Sequence, residues 1–139
     1  MTTPIERGKA ELLRDGQAVA IWALGNMVEI AEKTADLLRE QGFEAAVVNP
    51  RFLAPFDAET ARKFADRPQV AIEDHVISGG LGAALEAALG PVRHAPILVC
   101  GWPDRIIPHG NPAEIRALFE LDPPHLARRI GDFIAQNQR

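Results

Sequence analysis

The sequence predicts an α/β fold, a mostly parallel sheet with helices on both faces, and three observations carry that prediction. Short, near-continuous apolar runs at residues 18–24, 45–48, 70–72 and 97–100 read as strands buried on both sides. Between them lie segments whose apolar residues recur at helical spacing. Glycine and proline punctuate the joins, and the resulting βαβα rhythm is that of a sheet covered on both faces.

Taken in order, residues 9–13 form a first short strand, closed by the turn signal Arg14-Asp15-Gly16, and residues 18–24 form the second. Gly25-Asn26 breaks that run. From Met27 the positions Val28, Ile30, Ala31, Ala35, Leu37 and Leu38 mark one apolar helix face, and Gly42 supplies the stop. Residues 45–48 are a third strand, Asp57 caps a helix running to about Ala65, and residues 70–72 are a fourth strand. Gly79-Gly80-Leu81-Gly82 opens a helix through Leu89, and residues 97–100 make the fifth strand. Two helices close the chain at 112–119 and 124–136, with Pro124 suited to a first-turn position. No repeat or linker divides this pattern, so residues 1–139 are expected to form one domain, with about seven residues of linker or disordered start.

Composition narrows the function classes. With 139 residues the chain has the size of one ordinary domain and needs no disulfide or metal staple to fold. Fifteen Lys and Arg against nineteen Asp and Glu give a net charge of -4, which offers no basic footprint for a nucleic acid. The single cysteine, Cys100, forms no internal disulfide, and residues 1–7 lack the apolar core of a signal peptide, so a cytoplasmic setting is expected. The apolar runs fall far short of the roughly 20 residues that span a bilayer.

Four groups of residues invite a chemical reading. Gly79, Gly80 and Gly82 stand between a strand and a helix, where free amides and the helix dipole attract anions. Leu85 stands where a dinucleotide fingerprint needs a small residue, so a tight turn and close helix packing weigh more than cofactor binding. Glu73-Asp74-His75 puts acids and an imidazole at a strand end, but neighbours on a strand face opposite ways. His75, His94, His109 and His125 show no metal-ligand spacing. Cys100 ends a buried run and reads better as an apolar filler than as a nucleophile, despite Arg105 nearby. Arg51 lies in a proline-stiffened connection, where it can clamp an anion or pair with an acid of this chain or a neighbour, with Phe52 and Phe56 packed beneath. Asp104, Arg105 and His109 gather just beyond the last strand, the side of an α/β sheet where ligands or partners are met.

The order of motifs resembles the C-terminal domain of 1-deoxy-D-xylulose-5-phosphate synthase. The matching pieces are Pro4-Ile5-Glu6-Arg7-Gly8-Lys9-Ala10-Glu11, the stretch from Val19 to Val28, Val47-Val48-Asn49-Pro50-Arg51-Phe52, Gly79-Gly80-Leu81-Gly82, Gly101-Trp102-Pro103-Asp104-Arg105 with His109-Gly110, and Leu121-Asp122 before Ala127-Arg128-Arg129-Ile130. The resemblance covers almost the whole chain. It implies a three-layer α/β/α domain of the transketolase C-terminal type, with a five-stranded mixed sheet whose first strand runs antiparallel to the rest.

Enzymes of that family use thiamine diphosphate and magnesium to join pyruvate to glyceraldehyde 3-phosphate in isoprenoid precursor synthesis. They are several times longer than this chain, and their cofactor signatures lie in N-terminal and middle domains with no counterpart here. Gly131-Asp132-Phe133 lacks the final glycine of the magnesium signature. The resemblance therefore implies no catalytic, cofactor-binding or metal residue in this chain. It implies a structural domain, cut from its parent or encoded apart from it, that serves the homodimer and the other domains. Arg51, Asp74, Asp104, Arg105 and His109 are the expected interdomain contacts, and Gly79, Gly80 and Gly82 the candidate anion contacts. Two alternatives stay open: a subunit of a split transketolase or oxo-acid dehydrogenase, and a free-standing module binding a small anion or nucleotide at the glycine-rich helix start.

Overall fold

Strand β2, Val19–Ala23, is buried along its whole length, and it forms the centre of the sheet. The computed structural model describes residues 8–25, 27–52, 55–73, 80–100 and 122–137. The elements are β1 (Glu11–Arg14), β2, α1 (Met27–Glu40), β3 (Ala45–Asn49), α2 (Ala58–Lys63), β4 (Gln69–Ile72), α3 (Leu81–Leu89), β5 (Ile97–Cys100) and α4 (Pro123–Gln136). The expected first strand shifts: it takes in Arg14, whose guanidinium bonds Asp36 on α1, so the turn begins one residue later than the sequence signal. The helix expected at 112–119 lies outside the described residues.

Five strands form one sheet in the order β1-β3-β2-β4-β5. β2 pairs in parallel with β3 and β4, β4 pairs in parallel with β5, and β1 runs antiparallel to β3. Alternation along β2 sends Val19, Ile21 and Ala23 into one core layer with α1 and α4, and Ala20 and Trp22 into the other with α2 and α3. The result is a three-layer α/β/α domain.

Local chemistry explains where the helices begin and end. Helix α1 buries Met27, Ala31, Thr34, Ala35 and Leu38, a stripe at helical spacing, and Thr34 satisfies its hydroxyl on the Ile30 carbonyl at 2.7 Å. It stops where Gly42 takes φ 92° and the Phe43 amide returns to the Leu38 carbonyl at 2.9 Å. The carboxylate of Asp57 accepts from the Thr60 amide at the start of α2, and that of Asp122 accepts from the His125 amide at the start of α4. Pro123 and Pro124 occupy the first turn of α4, where their missing amide hydrogens cost nothing. Among the described residues, no helix is long and apolar enough to cross a membrane.

Candidate functional site

The strand order locates the place where an α/β domain of this kind most often holds a ligand. The chain leaves β2 through α1 toward β3 on one side, and leaves β4 through α3 toward β5 on the other. Adjacent strands thus send their connections to opposite faces, and the carboxyl ends of β2 and β4 flank a topological switch point. Glu73 follows β4 at this edge, with its amide bonded to the Cys100 carbonyl at 2.8 Å.

Glu73 fills the position an external anion would take. Its Oε1 accepts from the Leu81 amide at 2.6 Å, in the first turn of α3. The residue at the helix N-cap is Gly80, which has no side chain with which to satisfy that turn. A carboxylate on the positive end of a helix is favourable by roughly 0.3–1 kcal/mol. Gly82 serves close packing: a Cβ there would lie 2.8 and 3.0 Å from the Val99 methyls and 3.2 Å from Glu73 Oε2. A cofactor diphosphate does not fit at the Leu81 amide, because the chain's own carboxylate already lies there. Among the described residues, no group of three His, Cys, Asp or Glu side chains is placed to hold a metal ion.

Arg51 lies at the same edge, after β3, and its backbone is unusual. Its φ is 63°, the Phe52 amide returns to the Pro50 carbonyl at 2.7 Å, and the Asn49 side chain accepts from the Arg51 amide at 2.9 Å. This is a γ-turn of the rarer hand, which a non-glycine residue adopts only when its surroundings hold it there. The side chain is mostly buried and pairs with Glu11 on β1 at 3.0 Å, so the guanidinium finds its acid within the chain. Beneath the loop, Phe56 packs on Trp22 with ring centroids 5.2 Å apart.

Asp57, nearby, is buried and does more than cap α2. Its carboxylate accepts from the Ala10 amide at 2.8 Å and the Thr60 hydroxyl at 2.6 Å, tying the segment before β1 to α2. Burial pushes its pKa up, but those hydrogen bonds and the charge of Lys9 outweigh it and hold the carboxyl below its ordinary 3.8.

Cys100 is fully buried, and burial lifts its thiol to about 11 against a small opposing pull from Arg129. Such a thiol is protonated at neutral pH and is no nucleophile. His125 bonds its own helix cap, Asp122, and His94 lies exposed at the opposite edge of the sheet. Of the expected site residues, the structure brings Arg51, Gly80 and Gly82 to the carboxyl edge; Asp74, Gly79, Asp104, Arg105 and His109 lie outside the described residues. Sequence reasoning saw Glu73 only as one of the acids gathered at a strand end and missed its capping role. The available signal was an acid at a strand end followed by a helix whose glycine start cannot cap itself.

Fold and site together define a three-layer α/β/α domain with a mixed five-stranded sheet, whose switch point is occupied by its own carboxylate. The chain belongs to the family described as transketolase, C-terminal domain, whose profile matches residues 8–126. It is similar to the 1-deoxy-D-xylulose-5-phosphate synthase of Acidobacterium capsulatum, at 35% identity over 94% of this chain and 21% of that protein. The synthase of Heliobacterium modesticaldum matches at 43% identity over 91% of this chain and 20% of that protein. The chain therefore spans about a fifth of the length of these relatives. Among solved structures, an inactive tetramer of a split-gene transketolase superposes with a TM-score of 0.87 at 24% identity, over 98% of this chain and 45% of that one. Transketolase from Campylobacter jejuni gives 0.63 at 21% identity, over 89% and 18% of the two chains. At those identities the superpositions speak for the fold alone.

Proposed function

We propose that this chain is the C-terminal domain of a 1-deoxy-D-xylulose-5-phosphate synthase, and that its work there is structural: it supports the other domains and the homodimer, in the cytoplasm. One observation carries the reading above all. Similarity to these synthases runs over nearly the whole chain, yet that chain makes up only about a fifth of each relative. The synthase chemistry, with thiamine diphosphate and magnesium, then belongs to the remaining four fifths. The reading is supported by the carboxyl edge, where Glu73 is spent on a helix start, Arg51 on an ion pair and Cys100 on the core. It is supported also by the edge strands, where Leu12 and Leu13 on β1 and Val99 on β5 expose apolar surface suited to a neighbouring domain.

In this reading Asp74, Asp104, Arg105 and His109 make interdomain contacts, while Arg51, expected among them, instead braces β1 through its pair with Glu11, and residues 1–139 act as one domain. The test is reconstitution. The isolated chain, supplied with thiamine diphosphate, magnesium, pyruvate and glyceraldehyde 3-phosphate, is expected to release no carbon dioxide above background. A synthase polypeptide lacking its C-terminal domain should regain dimerisation and activity when this chain is added. Turnover by the isolated chain would overturn the proposal, and so would failure to complement the truncated synthase.

A further inference from the structure

At the edge of the sheet opposite the switch point, the turn after α2 and the connection from α3 to β5 enclose an open cleft of about 630 Å³. The two segments are joined by a hydrogen bond from the Ala95 amide to the Ala65 carbonyl at 2.8 Å. Arg62, Lys63, Arg93 and His94 line the cleft, and Asp66 is the acid among its lining residues. Asp66 is already engaged by Arg67 at 3.0 Å. Three fixed cations thus gather on a chain whose net charge is -4.

Cations near a helix carboxyl end often serve only the free carbonyls there. Arg62 does so in part, since its Nε donates to the Ala88 carbonyl at 3.0 Å, which fixes the guanidinium plane. That role does not extend to Lys63 and Arg93, for which no acid lies within ion-pair distance among the described residues. The His94 ring is oriented by donation from Nδ1 to the Ala95 carbonyl at 2.7 Å, which fixes it as one wall of the cleft. The volume lies in the range of roughly 300–1,000 Å³ common to small-molecule sites. An apolar ligand would gain little among these charges, whereas a compact oxyanion of two or more charges would receive charge-assisted hydrogen bonds from several donors.

We propose that this cleft is a binding site for a small multivalent phosphate compound, with Lys63 and Arg93 as its principal contacts and Arg62 as a supporting donor. The site is independent of the synthase assignment.

The test titrates the 139-residue chain with inorganic diphosphate at constant ionic strength and follows its amide resonances. Saturable shifts confined to residues 62–66 and 93–95 are expected, with inorganic phosphate and sulfate binding more weakly. Lys63→Gln combined with Arg93→Gln should weaken diphosphate binding about tenfold or more, given the usual strength of charge-assisted contacts. Lys9→Gln with Lys33→Gln, which removes two cations elsewhere, should leave it unchanged. All four side chains are exposed, and a melting curve on each variant establishes that it is folded. Shifts that never saturate, that spread over every basic residue, or that survive the Lys63 and Arg93 changes would overturn the proposal.

Discussion

On one face of the sheet, α1 and α4 are fourteen residues each and pack against one another over an apolar layer that includes Met27, Leu38, Leu126, Ile130 and Ile134. On the other, α2 and α3 have six and nine residues and are fastened by polar groups as well. Gln69, buried at the head of β4, accepts from Trp22 Nε1 at 2.8 Å and donates to the Ala61 carbonyl at 3.0 Å. Asp57 ties α2 to the incoming chain, Arg62 reaches the Ala88 carbonyl of α3, and Glu73 holds the α3 start. A helix of four turns is oriented by its hydrophobic stripe, whereas one of two turns buries too little for that and needs directional bonds to fix its place.

The largest expected effect falls on the long-helix face. Ile130→Ala opens a cavity in a fully buried layer and should cost about 2–5 kcal/mol in a urea titration with little change in slope. A loss below about 1 kcal/mol would show that α4 is not held by its apolar stripe, and the contrast between the faces would fail.

Next comes the polar fastener beneath α2. Gln69→Leu strands the indole N–H of Trp22 in the core and should cost about 1–3 kcal/mol. Adding Trp22→Phe removes the stranded donor, so the double variant should be less destabilised than the two single losses summed. Strict additivity would mean that the bond between the two side chains contributes nothing to holding this face.

The same contrast governs what could be read from the sequence. The helices on the long face announce themselves through periodicity and caps: Met27 to Gly42, and the Pro124 region to Gln136, appear in the structure within a residue or so. The α2–α3 face hides its fasteners, because Gln69 and Glu73 lie at strand ends where no periodicity acts and their partners are 47 and 8 residues away. Strand order is not written locally either. The switch point appears only when β2 is seen between β3 and β4, and until Glu73 is placed on the Leu81 amide the glycine-rich start of α3 looks open to anions. Arg51 was legible as a cation in a stiff loop that pairs with an acid, but no residue pattern announced its positive φ or singled out Glu11.

The cap of α2 gives a smaller, pH-dependent effect. Asp57→Asn keeps the shape but loses charge-assisted bonds, for a cost of about 1 kcal/mol at neutral pH. Because the folded-state pKa of Asp57 is lowered, its contribution is present above the unfolded value near 3.8 and is lost as pH falls through the lower folded value. Denaturation curves of the two proteins should therefore stay apart at neutral pH and converge in that acidic window. A gap that persists at the lowest pH would assign the effect to shape, not charge.

Gly82→Ala decides between two opposed effects of similar size. Alanine gains up to about 1 kcal/mol over glycine in a helix interior, and less in the first turn, where Gly82 stands. Against this, its methyl would meet Val99 at 2.8 and 3.0 Å and Glu73 Oε2 at 3.2 Å. Glu73 is held by the Leu81 amide and cannot yield without uncapping α3, while Val99 is 36% exposed and has room to move. The two contacts together should outweigh the propensity gain, so Gly82→Ala is expected to lower the melting temperature slightly. In a Val99→Ala background the tighter contact is gone and the same change should raise it. A rise in the native background would show that α3 needs no close approach to β5, and that the short-helix face tolerates adjustment as readily as the long one.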